Sequence, residues 1–253
     1  MWTDGEMVAT SFVQSYLSRE NFPLDLNRVA LAVEKKLDIR VVIEEHDGPE
    51  EIIAQLVCSE YNALILVNQL HSLHRKRFGI AHEFGHLLLA HEFGNPDPGS
   101  SEPDRESDEA NSFAAALLMP SWNVLGLVKR YPDSLTFLVH KMQQYFGVSI
   151  ETAARRLAGS DFLPGLWAMI DPALGRVDWE YHSPSIHLDH DAFREFLVRQ
   201  LRLPLKRRET DLDIMGYPFR VECKRMWNKQ LVTCLPFTMP MAARETAAGY
   251  GVR

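Results

Sequence analysis

His82, Glu83 and His86 stand in the pattern H-E-x-x-H, within Arg77-Phe78-Gly79-Ile80-Ala81-His82-Glu83-Phe84-Gly85-His86-Leu87-Leu88-Leu89. On a helix, residues four apart lie one turn above each other on the same face. Two imidazoles so placed can share one tetrahedral metal ion. Glu83 follows the first of them and can lean over the open coordination position, where it can take a proton from an ion-activated water. The chemistry this spacing points to is metal-assisted hydrolysis. Phe78, Ile80, Ala81 and Leu87 to Leu89 supply the apolar faces of a buried helix around the two histidines. The competing interpretation is a pair of core histidines on a packed helix, and a third ligand would weigh against it.

The next polar cluster, residues 100–111, runs into Ser112-Phe113-Ala114-Ala115-Ala116-Leu117-Leu118-Met119-Pro120. Ser101 or Asp104 can cap a helix there, acids suit its first turn, and Pro120 marks its end. Phe113, Ala116 and Leu117 fall four, seven and eight residues after Glu109, which puts Glu109 on the buried stripe. A carboxylate on that side is costly unless it is paired or metal-bound. Glu109 is therefore the expected third ligand, with Glu106, on nearly the same stripe one turn earlier, in reserve. Glu102 and Asp104 read as an ordinary solvated helix start.

These residues carry a resemblance. Arg77-Phe78, Ala81 to Leu89, Glu109-Ala110-Asn111, Phe113-Ala114 and Leu117-Leu118-Met119-Pro120 resemble the ImmA/IrrE family of bacterial metallopeptidases over about residues 25–160. The resemblance implies that His82, His86 and Glu109 bind the metal and that Glu83 is the catalytic base. It implies an α+β fold: a zincin-like metallopeptidase core with a small β-sheet and an active-site helix, then a helical segment like a helix-turn-helix, then a small C-terminal α+β domain. It also implies an intracellular endopeptidase that cleaves a helix-turn-helix transcriptional repressor in a stress-response or mobile-element circuit. The ligand set suits Zn²⁺, with Mn²⁺ or Fe²⁺ as alternatives. A non-catalytic, metal-stabilised regulator that binds DNA or a protein partner is the rival class.

The elements that must position these residues follow from the rest of the chain. Residues 7–18 and 27–37 read as amphipathic helices, separated at Asn21-Phe22-Pro23. Residues 40–44, 52–58 and 63–68 read as strands of a small sheet beside the active-site helix. In H-E-x-x-H peptidases an edge strand can bind substrate backbone by strand addition, and residues 63–68 are the expected strand. His71 and His74 read as helix-start residues, and His91, five after His86, is rotated off the ligand face. Tyr145, His140 and His91 are candidate partners for a developing oxyanion.

Residues 121–160 read as helical, with Gly147 and Ser149 marking a turn that resembles a helix-turn-helix. Over residues 135–158 only Lys141, Arg155 and Arg156 supply positive charge, which favours helical packing over DNA binding. The expected domains are a metallopeptidase domain over 1–130, the helical segment over 131–164 and a C-terminal α+β domain over 165–253, the position where radiation-response members of the resembled family carry a GAF-like regulatory domain. In the last domain, residues 166–170 and 176–181 read as a hairpin, 191–203 as a helix, and 217–223 with 230–235 as a second strand pair. Arg199, Arg202, Lys206, Arg207 and Arg208 form a basic run that reads as a solvated helix end. His182, His187 and His190 match no metal-ligand spacing.

Composition bounds the rest. Hydrophobic residues make up 46% and charged residues 24% of 253, as in globular proteins. No apolar run is long enough to span a bilayer, so no membrane association is expected. Residues 166–253 hold 13 Lys/Arg against 11 Asp/Glu, net +2, and the preceding 165 hold 14 against 23, net −9. An acidic catalytic half disfavours general DNA binding and suits a basic protein substrate. Cys58, Cys223 and Cys234 have no C-x-x-C spacing, which fits a reduced, cytoplasmic setting.

Overall fold

A computed structural model describes residues 3–17, 20–94, 103–132, 134–159, 162–171, 173–174, 176–184, 186, 191, 193–195, 197, 209–214, 217–226 and 229–236. The described chain is α+β and divides into two compact units. The first comprises residues 1–123 and 143–149, and the second residues 124–142 and 150–253.

In the first unit, α1 spans Asp4–Tyr16 and begins where the Thr3 side chain accepts the Glu6 N–H. Its apolar stripe, Ala9, Phe12 and Val13, is buried. Helix α2, Leu26–Leu37, starts at the Asp25 cap and stops at Asp38, which turns into the left-handed region at φ 56°. Three strands follow: β1 (Arg40–His46), β2 (Ala54–Cys58) and β3 (Asn62–Asn68). They lie in the order β1-β3-β2, with β1 parallel and β2 antiparallel to β3.

That order corrects one expectation. The strand at 63–68 was the sequence's choice for strand addition, but it is central and both of its edges are paired. Its alternating Ala63, Ile65 and Val67 are buried because they sit mid-sheet against the core. Among the described residues, the free edges belong to β1 and β2.

Helix α3, Leu73–Phe93, is capped by Ser72, so His71 precedes it and His74 lies in its first turn. It packs on α2, β2 and β3. Helix α4, Pro103–Leu118, opens with a proline, whose missing N–H costs nothing there. It packs on both α1 and α3. Helix α5, Ser121–Arg130, follows, and the division between units falls within it.

The division also falls within α6, Leu135–Phe146, which ends at Gly147 with φ +66° before α7, Ile150–Gly159. In the second unit, β4 (Leu166–Asp171), β5 (Arg176–His182), β6 (Glu209–Ile214), β7 (Tyr217–Met226) and β8 (Lys229–Pro236) form an antiparallel sheet in the order β5-β4-β8-β7-β6. Leu166, Ala168, Ile170, Phe219, Val221, Val232 and Cys234 line one core face with Ile186, Phe193 and Leu197. Buried Glu222 accepts from the Ser134 hydroxyl and the Thr136 N–H, which anchors the start of α6 to β7. Residues 191, 193–195 and 197 are helical, as expected over 191–203. The basic run at 199–208, His187 and His190 lie outside the described residues. Among the described residues no single helix is long and apolar enough to cross a membrane.

Candidate active site

The site is built on the middle of α3, where the helix is sandwiched between the first sheet and α4. Close approach requires small residues at the contacts. A Cβ added to Gly85, inside the H-E-x-x-H stretch, would sit 3.1 Å from the Ala110 Cα and 3.2 Å from the Phe113 ring. On the other side, a Cβ on Gly79 would meet the Ile53 methyl at 2.8 Å and the Ala54 Cβ at 3.1 Å. The two glycines let α4 and β2 close on the histidine-bearing helix.

His82 and His86 converge as their spacing requires. Their Nε2 atoms are 3.0 Å apart, and their rings meet edge-on at 78° with centroids 4.7 Å apart. Two nitrogens about 2.0–2.1 Å from a shared tetrahedral ion would be about 3.3 Å apart. The pair is therefore within a few tenths of an ångström of what a divalent metal needs. His82 Nδ1 lies 3.0 Å from Asn111 Oδ1 on α4. An amide oxygen only accepts, so Nδ1 carries the proton and Nε2 is left with its lone pair, the tautomer a metal ligand requires.

Burial sets the electrostatics. It lowers the His82 pKa to about 4, helped by neighbouring His86 and opposed by Asn111. It also lowers the His86 pKa, against the charge of Glu106. Desolvation of buried Glu83 raises its pKa to about 7. A carboxylate with that value is suited to accept and return protons near neutrality. The charge of Glu83 also contributes, after burial, to raising the thiol pKa of Cys58 at the end of β2.

Of the four residues expected from sequence, His82 and His86 meet, Glu83 lies on the same turn of α3, and one Glu109 carboxylate oxygen is engaged by α1. The Glu109 Oε2 accepts the backbone N–H of Gly5, on α1, at 2.6 Å. Among the described residues, no three His, Cys, Asp or Glu side chains are arranged to hold a metal ion. Asn111 received no role from sequence, although it stands two residues after Glu109 in the E-A-N segment. Tyr145 is engaged by the Asn123 amide and stacks on Phe22, and His91 is exposed in the last turn of α3. His140 belongs to the second unit.

The free edges of the first sheet differ. The bonds Ser59 N–H to Asn62 O and Asn68 N–H to Ile53 O mark the hydrogen-bonded pairs between β2 and β3. Alternation then turns the N–H and C=O of Ala54, Leu56 and Cys58 outward. This edge carries no charged side chain, whereas β1 carries Arg40, Glu44 and Glu45, the last paired with Lys76. Charge on an edge discourages strand addition.

Residues 34–158 match the family model described as Peptidase_M78, IrrE N-terminal-like domain. Among solved structures, the chain is similar to one described as a Mycobacterium tuberculosis transcriptional regulator. The two are 17% identical, the match covers 100% of this chain and 94% of that one, and the TM-score is 0.60. Identity that low speaks to the fold alone. No curated protein matches the chain.

Proposed function

With residues 34–158 belonging to the Peptidase_M78 family, we propose that the chain is a metal-dependent endopeptidase with a zincin-like core. The observation that carries this reading is the convergence of the His82 and His86 Nε2 atoms at 3.0 Å beside a buried glutamate. The two histidines would hold a divalent ion, Zn²⁺ first and Mn²⁺ second, completed by a carboxylate of α4. Such an ion supplies Lewis acidity to a peptide carbonyl and lowers the pKa of water.

The protein's own groups do the rest. Asn111 fixes the His82 tautomer through Nδ1. Glu83 removes a proton from the attacking water and returns it to the leaving amine, and its raised pKa matches both halves of that task. The substrate adds as an extended strand to the outer edge of β2, where Ala54, Leu56 and Cys58 turn their backbone groups outward and Cys58 feels the charge of Glu83.

The substrate we propose is a helix-turn-helix repressor, in a cytoplasmic stress-response or mobile-element circuit. The acidic first half of the chain suits such a basic partner. DNA binding by α6 and α7 is the weaker reading. Arg156 is buried beneath Phe162, Arg155 lies over Tyr181 and Lys141 lies over Phe137, so these cations serve packing within the second unit.

A non-catalytic regulator is the second reading. It is favoured by the engagement of the Glu109 carboxylate with the Gly5 N–H. Purified wild type and Glu83→Gln, incubated with candidate repressors and Zn²⁺ or Mn²⁺, separate the two. A discrete cut made by wild type alone, and stopped by chelator, supports the peptidase. Comparable cutting by Glu83→Gln defeats the mechanism, and bound metal without any cut in a panel containing the cognate repressor favours the regulator.

A further inference from the structure

We infer that Asn68 is a positioning residue for the proposed hydrolysis: it fixes the outer edge of β2, the strand that receives the substrate, against the helix that carries Glu83 and the two histidines. This deepens the metallopeptidase reading, on which it rests.

Asn68 is fully buried at the last position of the central strand β3, opposite His46 at the end of β1. Its amide nitrogen donates to three carbonyl oxygens in the connection between β1 and β2: Gly48 at 3.1 Å, Pro49 at 2.8 Å and Ile52 at 3.0 Å. An amide has two hydrogens for these three acceptors, so at least one is shared. Its Oδ1 accepts the Leu70 N–H at 3.1 Å, an Asx turn that leads the chain to Ser72, the cap of α3. Carbonyls on one side and an N–H on the other fix the orientation of the amide.

One side chain thus ties the segment that leads into β2 to the segment that leads into α3. The backbone completes the tie. The Asn68 N–H donates to the Ile53 oxygen at 3.0 Å, and a Cβ on Gly79 of α3 would meet the Ile53 methyl at 2.8 Å and the Ala54 Cβ at 3.1 Å. Residues 49–52 are exposed, so the connection is held from beneath, by the buried amide. Without it, the Gly48, Pro49 and Ile52 carbonyls would turn to water, and Ile53 and the start of β2 would be free to leave Gly79. Other side chains do not substitute. Serine can keep the turn to Leu70 but is too short to reach the carbonyls, and an ionised aspartate keeps the shape but has nothing to donate.

The test uses the full chain as wild type, Asn68→Ser and Asn68→Asp, with a peptide spanning the bond that wild type cuts in its repressor as substrate. In Asn68→Ser, KM is expected to rise about tenfold with kcat within about twofold of wild type, because strand docking is weakened and the chemistry is not. Zn²⁺ affinity, by competition with a chromophoric chelator, is expected to stay within about threefold of wild type, because no ligand or ligand partner has been touched. Hydrogen exchange over residues 48–55 is expected to be about tenfold faster, with that over residues 82–89 unchanged. A general loss of packing would lower kcat and Zn²⁺ affinity along with substrate binding, so the split separates positioning from stability. If Asn68→Ser is poorly folded by circular dichroism, Asn68→Asp serves instead, with the same split expected. Unchanged KM, or a fall in kcat or Zn²⁺ affinity as large as the change in KM, overturns the inference. If wild type cuts no repressor in the panel, the peptidase reading falls and this one with it. If wild type cuts and the folded variants match its KM and kcat, only the present inference falls.

Discussion

Glu83 makes the metal-free protein sensitive to pH in a direction that one substitution can isolate. Burial raises its pKa from 4.5 to about 7. The folded chain therefore holds this proton across a range in which the unfolded chain has released it. Stability contributed by the protonated group is complete below pH 4.5 and is lost as pH rises to about 7. The full difference corresponds to at most roughly 3 kcal/mol, and partial solvent access brings it to about 2 kcal/mol. His82 acts in the opposite sense: its pKa is lowered from 6.5 to about 4, so stability falls as pH drops through that range. His82 is present in both wild type and Glu83→Gln, so its effect cancels in their difference. Urea unfolding of both proteins in chelator, at pH 4.5, 6 and 8, should show Glu83→Gln gaining about 2 kcal/mol on wild type between the extremes. Parallel pH profiles would refute the reasoning, because they would mean that Glu83 is solvated in the fold.

Three further outcomes follow from the same geometry. Asn111→Ala removes the acceptor that fixes the His82 tautomer and should weaken Zn²⁺ binding by about 10–100-fold, read by chelator competition, with little change in secondary structure. Gly85→Ala places a methyl 3.1 Å from the α4 backbone and should cost about 1–3 kcal/mol in chemical denaturation. Because the same crossing carries Asn111, it should also lower metal affinity, and a variant as stable as wild type would show that α4 can yield freely. If substrate pairs with the outer edge of β2, peptides N-methylated at alternate residues should divide into cleaved and uncleaved sets, since only every second N–H enters a ladder; equal cleavage of all would remove strand addition.

What was legible in the sequence was what one helix settles by itself. His82, Glu83 and His86 belong to a single turn and a half of α3, so their spacing alone determines that the two imidazoles meet. The hairpin of β4 and β5 and the pairing of β7 with β8 were legible for a similar reason: the partners are close in sequence and their turns are marked. Strand β6 was missed because Glu209–Ile214 carries three acids, and its alternation rests on only two large apolar side chains, Leu212 and Ile214. Strand order in the first sheet was also illegible. Residues 52–58 and 63–68 both read as strands, but which of them is central depends on β1 inserting alongside β3, a long-range choice that no local pattern records.

The same limit applies to the acids of α4. Hydrophobic periodicity sorts the positions of α4 into buried and exposed, and it placed Glu106 and Glu109 together on the buried side. A helix that packs against two others has two buried stripes, and periodicity does not distinguish them. The backbone contacts of Gly5 and Gly85 do, because each marks where a neighbouring helix crosses: Gly5 of α1 meets Glu109 and Phe113, and Gly85 of α3 meets Ala110 and Phe113. Which neighbour each stripe of α4 meets was thus decided by two glycines, one in α1 and one in the histidine-bearing helix, rather than by the acids themselves.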